Sequence, residues 1–259
     1  MTRQESPEGE LSADDSAPAE EFAYPGRELE AMDGAANYHR WILGIFKPFL
    51  GRHLVEVGAG LGSFSKLILE QHQCKTLALV EPSNDMYERL VTNANRLGAT
   101  TQIDTYHGTF PEAAPLIKAK EAPDSIIYVN VLEHIAEDEV ELETIRSTLV
   151  DGGRAFLFVP ALPWLYGAFD ERVGHLRRYR KQELEEKLRR TGFKTVLSTY
   201  FDLPGIAPWW LKYRLLKSAS MEPGSVKLYD RFIVPAARRL ESVISPPIGK
   251  NVIVVAEKR

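Results

Sequence analysis

Short apolar runs alternate with amphipathic stretches along most of this chain, and this alternation restricts the fold more than any other sequence feature. The runs are rich in β-branched residues, as strands are, and the stretches between them carry apolar residues at helical spacing. The predicted strands are residues 53–57, 76–81, 102–107, 124–130, 154–159, 194–201 and 251–257. The pattern predicts a doubly wound α/β fold, in which helices cover both faces of a mostly parallel sheet.

The regions outside this alternation give the predicted domain organisation. Residues 1–22 combine many Asp and Glu with Ser, Pro and Ala, which predicts a disordered acidic tail. Residues 23–52 predict a helical segment before the core of residues 53–201. Residues 202–250 predict a helical cap inserted before a last core strand in residues 251–259. We expect a turn of Asp151, Gly152 and Gly153 to end the helix that precedes the fifth strand.

The composition excludes several classes of protein. With 259 residues, 44% of them hydrophobic, the chain has enough apolar residues for a sizeable core. A net charge of −4 argues against nucleic acid as a partner.

Cys74 is the single cysteine, so the chain has no internal disulfide, which fits a cytoplasmic protein. We expect no signal peptide, and the longest apolar stretch, residues 155–169, is interrupted by Pro160 and Pro163 and is too short to span a bilayer.

A glycine-rich turn follows the first predicted strand and carries the strongest functional signal. Gly58, Gly60 and Gly62 would let the backbone adopt positive φ and approach a ligand closely. Glu81, at the end of the second strand, lies 23 residues after Gly58, near the spacing of an acid that binds ribose hydroxyls. The carboxyl ends of parallel strands bind ligands in such sheets, so the pattern predicts a nucleotide site. A plain tight turn is the alternative.

The turn differs from the dinucleotide fingerprint, because Ser63 stands at the position of its last glycine. The run Glu56-Val-Gly-Ala-Gly-Leu-Gly62 instead resembles motif I of class I S-adenosylmethionine-dependent methyltransferases, and Glu81 matches their ribose-binding acid. The resemblance covers about residues 53–193 and continues in residues 251–258, which are similar to the family's final antiparallel strand. It implies a Rossmann-like seven-stranded sheet and S-adenosylmethionine as the cofactor.

The resemblance also implies cofactor contacts at the matching positions. These are Glu56, Gly58, Ala59 and Gly60 near the methionine moiety, Glu81 on the ribose, Gly108, Thr109 and Phe110 near the adenine, and Asn130 beneath the donor methionine. Gly62 and Pro82 are also expected to contact the cofactor. Tyr38, on the helix before the sheet, would either close over the cofactor or pack in the core, and for Trp41 we expect core packing.

The donor sulfonium is already electrophilic, so catalysis needs positioning of the acceptor and, for a hydroxyl, removal of a proton. His134 is one candidate base. Some related methyltransferases hold a divalent metal with Glu-x-x-Glu-His at this place, but here Asn130 replaces the first Glu, and we expect no metal. The alternative is that Glu133 and His134 cap the next helix and brace the pocket floor.

A long connection, residues 160–179, follows the fifth strand and has the character of a lid or binding segment. Its Gly-His-x-Arg-Arg-Tyr run resembles a broad branch of these methyltransferases. We expect His175 to be the better candidate base, on a mobile segment that closes over the acceptor. Trp164, Tyr166, Arg177 and Arg178 are candidate acceptor contacts; the alternative for the two arginines is pairing with Asp170, Glu171 or Glu183.

The sequence therefore predicts a methyltransferase that acts on oxygen or nitrogen of a small or medium-sized acceptor. Two alternatives remain open: an NAD(P)-dependent oxidoreductase, and a non-catalytic nucleoside-binding protein of the same fold. The cap places Trp209 and Trp210 beside Lys212 and Arg214, which is compatible with contact with a membrane interface, with a cover over a substrate pocket or with a dimer surface. The sequence does not predict the oligomeric state.

Overall fold

A computed structural model describes residues 35–97 and 101–259 of the chain. The predicted acidic tail and the start of the predicted N-terminal segment lie outside these residues. The strands are β1 (His53–Val57), β2 (Thr76–Glu81), β3 (Gln102–His107), β4 (Ser125–Val129), β5 (Arg154–Pro160), β6 (Phe193–Phe201) and β7 (Asn251–Lys258). The helices are α1 (Ala36–Phe46), α2 (Ser63–Gln71), α3 (Asn84–Ala94), α4 (Phe110–Lys120), α5 (Asp138–Thr148), α6 (Ala168–Arg172), α7 (Lys181–Arg190), α8 (Ile206–Trp209), α9 (Pro223–Leu228) and α10 (Val234–Glu241).

Within the described ranges the strands form one seven-stranded sheet in the order β3-β2-β1-β4-β5-β7-β6. Strands β1 to β5 pair in parallel, and β7 runs antiparallel to both β5 and β6. This confirms the predicted doubly wound sheet with an antiparallel last strand. Each observed strand boundary lies within one residue of its prediction, because polar or turn residues bound each run. Strands β3 and β6 mix apolar with polar residues and are only partly buried.

Two layers of buried side chains cover the two faces of the sheet. Alternate residues of one strand enter opposite layers: Val55 and Val57 pack with helices α4, α5 and α7, whereas Leu54 packs with α1, α2 and α3. Strands β5 and β7 each lie between two other strands, and from Val252 to Ala256 every side chain is fully buried. Burial on both faces explains why these strands read as unbroken apolar runs.

The chain order reverses between β1 and β4, because β2 and β3 lie on one side of β1, and β4 and β5 lie on the other. In open α/β sheets such a reversal leaves a crevice at the carboxyl ends of the two strands. The glycine turn after β1 and Asn130 after β4 stand at these ends. The topology therefore brings the motif I residues and the end of β4 to one place.

Helix α1 and the cap hold each other in position over the sheet. Asp230 of the cap accepts hydrogen bonds from the backbone N–H groups of Asn37 (3.1 Å) and Tyr38 (2.8 Å), in the first turn of α1. These bonds satisfy N–H groups that have no partner within a helix. The cap itself continues α8 with a π-helical segment, Trp210–Leu215, and joins α9 to α10 through another, Tyr229–Ile233.

One local expectation was wrong. Helix α5 ends at Thr148, before the predicted glycine cap, and Leu149 is already extended; Gly152 does adopt a left-handed φ of 74°, but in the following turn. The connection of residues 160–179 contains a 3-10 turn, Pro163–Leu165, and helix α6. Leu165 and Phe169 are buried, so apolar packing holds this connection against the rest of the molecule.

Candidate active site

The glycine turn after β1 uses its glycines for two different reasons. Gly58, Gly60 and Gly62 have φ values of 67°, 55° and 82°, a region that side chains disfavour. A Cβ on Gly58 would also lie 2.5 Å from Cγ2 of Val131, whereas a Cβ on Gly60 would meet nothing within 4 Å. Gly58 therefore permits close packing against the segment after β4, and Gly60 keeps space open beside the crevice.

Glu81 ties this turn to the end of β2. Its carboxylate accepts hydrogen bonds from the N–H groups of Gly60 (2.8 Å) and Ser83 (2.9 Å), and the residue is only 5% exposed. Burial raises the pKa of Glu81, and these two hydrogen bonds oppose the rise. A carboxylate has about four acceptor positions, so two remain for hydroxyl donors such as those of a ribose.

Glu56 lies beneath the turn, in the last part of β1. It is 3% exposed and accepts a hydrogen bond of 2.6 Å from the Ser65 hydroxyl of α2. Burial raises the pKa of Glu56 to about 8, against the effect of the Ser65 hydrogen bond. The carboxyl group is therefore mostly protonated at neutral pH and would ionise more readily beside a cation.

The remaining predicted cofactor residues lie in different surroundings. Gly108 has a φ of 128° and donates its N–H to the Glu81 carbonyl, so it adjoins the ribose candidate. Thr109 forms a capping box with Glu112 at the start of α4. The Phe110 side chain is buried and packs edge-on against Tyr128, which leaves its backbone as the part that could reach a ligand.

Asn130, Pro82 and Tyr38 complete the predicted set. Asn130 is left-handed, with a φ of 55°, and its N–H donates to the Phe158 carbonyl, which ties the residue to the end of β5. Pro82 is exposed. The Tyr38 ring is buried, and its hydroxyl donates to Asp202 (3.1 Å) or Asn251 (3.0 Å), which places it in the core beneath the cap. Trp41 is buried against Phe201, as expected.

Both candidate bases meet in one cluster after β4. The rings of His134 and His175 lie 4.7 Å apart, and Nδ1 of His175 lies 2.8 Å from Oδ1 of Asp170. Nε2 of His175 lies 3.7 Å from Glu133, whose fully buried carboxyl oxygens have no hydrogen-bond partner among the described residues. The alternative in which Glu133 and His134 cap the next helix does not hold, because both lie in a 3-10 turn and the N-cap of α5 is Glu137.

Burial gives the members of this cluster different protonation behaviour. Burial raises the pKa of Glu133 to about 7, and burial together with the neighbouring His175 charge lowers the pKa of His134 to about 3. For Asp170, burial favours the neutral acid, but hydrogen bonds and charge from His175 and Arg178 outweigh it and lower the pKa. Asp170 is therefore an anion that orients His175, and His134 is a neutral imidazole.

The same cluster has the donor atoms of a metal site. One ligand atom from each of Glu133, His134 and His175 lies within 4.8 Å of the others. Two imidazoles and a carboxylate suit a transition metal better than a hard cation such as Mg²⁺. The expectation of a metal-free site stays a prediction that chelation can test.

The two arginines of the connection are engaged by protein carboxylates. Arg178 is buried and forms an ion pair of 2.9 Å with Asp170, and Arg177 pairs with Asp138 at 3.1 Å. Arg178 therefore has one of the partners that the alternative names, whereas Asp138, the partner of Arg177, was not predicted. Of the other acceptor candidates, the Tyr166 hydroxyl donates to the His175 carbonyl at 2.7 Å, and Trp164 is 53% exposed.

Sequence reasoning missed the residues by which the cap reaches this cluster. The Arg178 guanidinium lies 4.7 Å from the centre of the Trp209 ring, and Lys250 Nζ lies 5.2 Å from the same ring. Lys250 also pairs with Asp202 at 2.9 Å. The sequence identifies Trp209 only as an aromatic residue of the cap. No local pattern identifies Asp202 or Lys250, since their partners are distant in sequence.

Comparison with known proteins gives the following matches. A family model described as a methyltransferase domain matches residues 31–198. No curated protein matches the sequence. A SAM-dependent methyltransferase from Archaeoglobus fulgidus has a TM-score of 0.57 and 17% identity, over 87% of this chain and 94% of that one.

Two further solved structures are similar in fold. The protein solved with the Trm112 methyltransferase activator of Haloferax volcanii has a TM-score of 0.61 and 14% identity, over 90% of this chain and 92% of that one. Phosphoethanolamine N-methyltransferase 2 of Haemonchus contortus, in complex with S-adenosyl-L-methionine, has a TM-score of 0.58 and 14% identity, over 86% of this chain and 52% of that one. At these identities the likeness shows the fold.

Proposed function

The chain belongs to the family of S-adenosylmethionine-dependent methyltransferases, and from this premise we propose that it transfers the methyl group to oxygen or nitrogen of a small or medium-sized acceptor. The observation that supports this most is the Asp170–His175 pair beside the end of β4. If Nδ1 donates to the Asp170 carboxylate, the lone pair of Nε2 is the free base. A base is needed when the attacking atom carries a proton.

His175 is the better of the two candidate bases in this proposal. His134, with a pKa near 3, is a weak base at neutral pH, whereas catalytic bases work best with a pKa near the operating pH. Asp170 acts as a positioning residue, because it holds the imidazole and is itself held by Arg178. Trp164 remains a candidate acceptor contact because it is exposed.

For the cofactor we propose that Glu56 and the turn from Gly58 to Gly62 receive the methionine moiety and that Glu81 binds the ribose. When bound, the donor supplies an electrophilic methyl group on its sulfonium. The open space at Gly60 and the spare acceptor positions on Glu81 support this assignment. Gly108 and Thr109 would border the adenine. We place the reaction in a reducing compartment such as the cytoplasm, since Cys74 is the single cysteine.

Binding of the donor is tested by thermal-shift titration with S-adenosylmethionine, its demethylated product and NAD. A ligand at 100 times its Kd stabilises the folded state by about 2.7 kcal/mol, and we expect this from the first two compounds and not from NAD. Gly60→Ala should abolish most of the shift, because its methyl group enters the crevice. Gly152→Ala is the matched control, with similar φ and equally open space away from the site. A shift with NAD alone would instead support an oxidoreductase.

Catalysis is tested by transfer of a tritiated methyl group from the donor to compounds of a deproteinised cell extract. We expect His175→Ala to lower kcat by about 10²–10⁴-fold and to remove the dependence on a basic group from the pH profile. His72→Ala, an imidazole outside the cluster, is the control. Full turnover of His175→Ala between about pH 6 and 9 would exclude this residue as the base. Donor binding without any methylated product would favour a non-catalytic protein.

A further inference from the structure

The exposed apolar side chains of this protein are concentrated in the cap. Of seventeen large apolar residues that the described part of the chain leaves exposed, eleven lie between residues 210 and 248. These eleven are Trp210, Leu211, Leu215, Leu216, Leu228, Phe232, Ile233, Leu240, Val243, Ile244 and Ile248. Scattered exposed apolar residues are ordinary, but a concentration of this kind indicates an interaction surface.

Basic residues are interleaved with these apolar ones. Residues 202–250 contain eight Lys and Arg against four Asp and Glu, although the whole chain has a net charge of −4. Asp202 and Asp230 are buried, and Glu241 accepts backbone hydrogen bonds, so Glu222 is left as the exposed acid. The seven basic residues that form no salt bridge with a described residue are Lys212, Arg214, Lys217, Lys227, Arg231, Arg238 and Arg239.

The two helical parts of the cap approach each other at Lys250. Lys250 Nζ lies 5.2 Å from the Trp209 ring and 5.9 Å from the Tyr229 ring. The helical part that contains Trp209 and the one that contains Tyr229 therefore both lie beside Lys250. Exposed Trp210 follows Trp209, and exposed Leu228 precedes Tyr229. We call the eleven apolar and seven basic residues given above the cap patch.

We propose that the cap patch binds the surface of an anionic lipid bilayer. Apolar and aromatic side chains would enter the acyl boundary while Lys and Arg contact negatively charged headgroups, as in helices that lie in a membrane interface. Each basic residue near such a surface contributes about 1 kcal/mol. Binding would be peripheral, since no helix of the described ranges is long and apolar enough to cross the bilayer. A second copy of the chain fits less well, because two basic patches would repel each other.

The proposal is tested with the full chain and vesicles of phosphatidylcholine, with and without phosphatidylglycerol. We expect flotation with the anionic vesicles, little with the neutral ones, and a decrease at high salt. The variant Lys227→Glu/Arg231→Glu should lower the partition coefficient between anionic vesicles and buffer by about 30-fold or more, because it removes two basic residues from the surface that contacts the headgroups. Leu228→Ser/Phe232→Ser should also lower it, by removing the apolar contact.

Matched controls alter the same residue types outside the cap. Lys66→Glu/Lys75→Glu changes two exposed lysines, and Leu116→Ser/Val140→Ser changes two exposed apolar residues on α4 and α5. Both should bind vesicles like the wild type. All variants should keep the wild-type thermal midpoint and the shift with S-adenosylmethionine, so that failure of the lipid proposal is separate from failure of the proposed methyl transfer.

Absence of flotation at every lipid composition would overturn the proposal. So would wild-type flotation of both cap-patch variants. Light scattering tests self-association. If the wild type is a dimer, both cap-patch variants are monomers and no protein binds vesicles, the surface is a dimer interface instead.

Discussion

Replacement of Glu56 by Gln should make the stability of the protein less dependent on pH. Glu56 is buried, and burial raises its pKa from 4.5 to about 8. Below pH 4.5 the residue is protonated in both the folded and the unfolded chain. Between pH 4.5 and 8 the unfolded chain loses this proton and the folded chain retains it, so the free energy of unfolding falls as pH rises.

The size of the effect follows from the two pKa values. Each pH unit inside this interval lowers the free energy of unfolding by at most about 1.4 kcal/mol. From pH 5 to pH 7 the loss due to Glu56 is therefore about 2.5 kcal/mol. A glutamine has nearly the shape of the protonated acid and can still accept the hydrogen bond from Ser65, but it cannot ionise.

The assay is urea unfolding of the wild type and Glu56→Gln at about pH 5, 6, 7 and 8. The stability of the variant relative to the wild type should rise by about 2.5 kcal/mol between pH 5 and 7, whatever its value at pH 5. Glu88→Gln, on the exposed face of α3, is the control and should show a constant difference. A constant difference for Glu56→Gln as well would refute the argument that burial keeps this carboxyl group protonated.

Three further predictions concern packing and chemistry. Gly58→Ala should lower the free energy of unfolding by about 3 kcal/mol in urea unfolding, because the new Cβ strains the left-handed backbone and collides with Val131. Gly152→Ala should lower it less, because it introduces only the backbone strain. Tyr38→Phe should lower the free energy of unfolding by about 1–3 kcal/mol in the same assay, since it removes a buried hydroxyl that donates to Asp202 or Asn251. Dialysis against EDTA should leave methyl transfer unchanged, and loss of turnover that Zn²⁺ or Mn²⁺ restores would instead assign a metal to the histidine cluster.

The strands and the glycine turn could be predicted from the sequence because their causes are local. A continuous apolar run defines a strand buried on both faces, and Gly58, Gly60 and Gly62 indicate a turn with left-handed backbone. The end of α5 was predicted less well. Gly152 does adopt a left-handed conformation, but the helix stops at Thr148, before that glycine is reached.

The histidine cluster could be predicted only in part, because its members come from separate segments of the chain. The sequence offered His134 and His175 as alternatives, and the fold brings them together with Glu133 and Asp170. The choice between the two bases depends on burial and on the Asp170 contact, which are tertiary properties. Glu133 is buried without a hydrogen-bond partner in residues 35–97 and 101–259, and this could not be predicted either, since partners are known only after folding.

The cap connects the candidate base to the surface that we propose for lipid. Asp170 holds His175, Arg178 holds Asp170, and the Trp209 ring packs over the Arg178 guanidinium. Exposed Trp210 adjoins Trp209 in the next position of the chain. Contacts therefore link Trp209, which adjoins the cap patch, to His175, and we expect lipid binding to change the rate of methyl transfer. Activity measured with and without anionic vesicles would show this coupling as a change in kcat that the Leu228→Ser/Phe232→Ser variant abolishes.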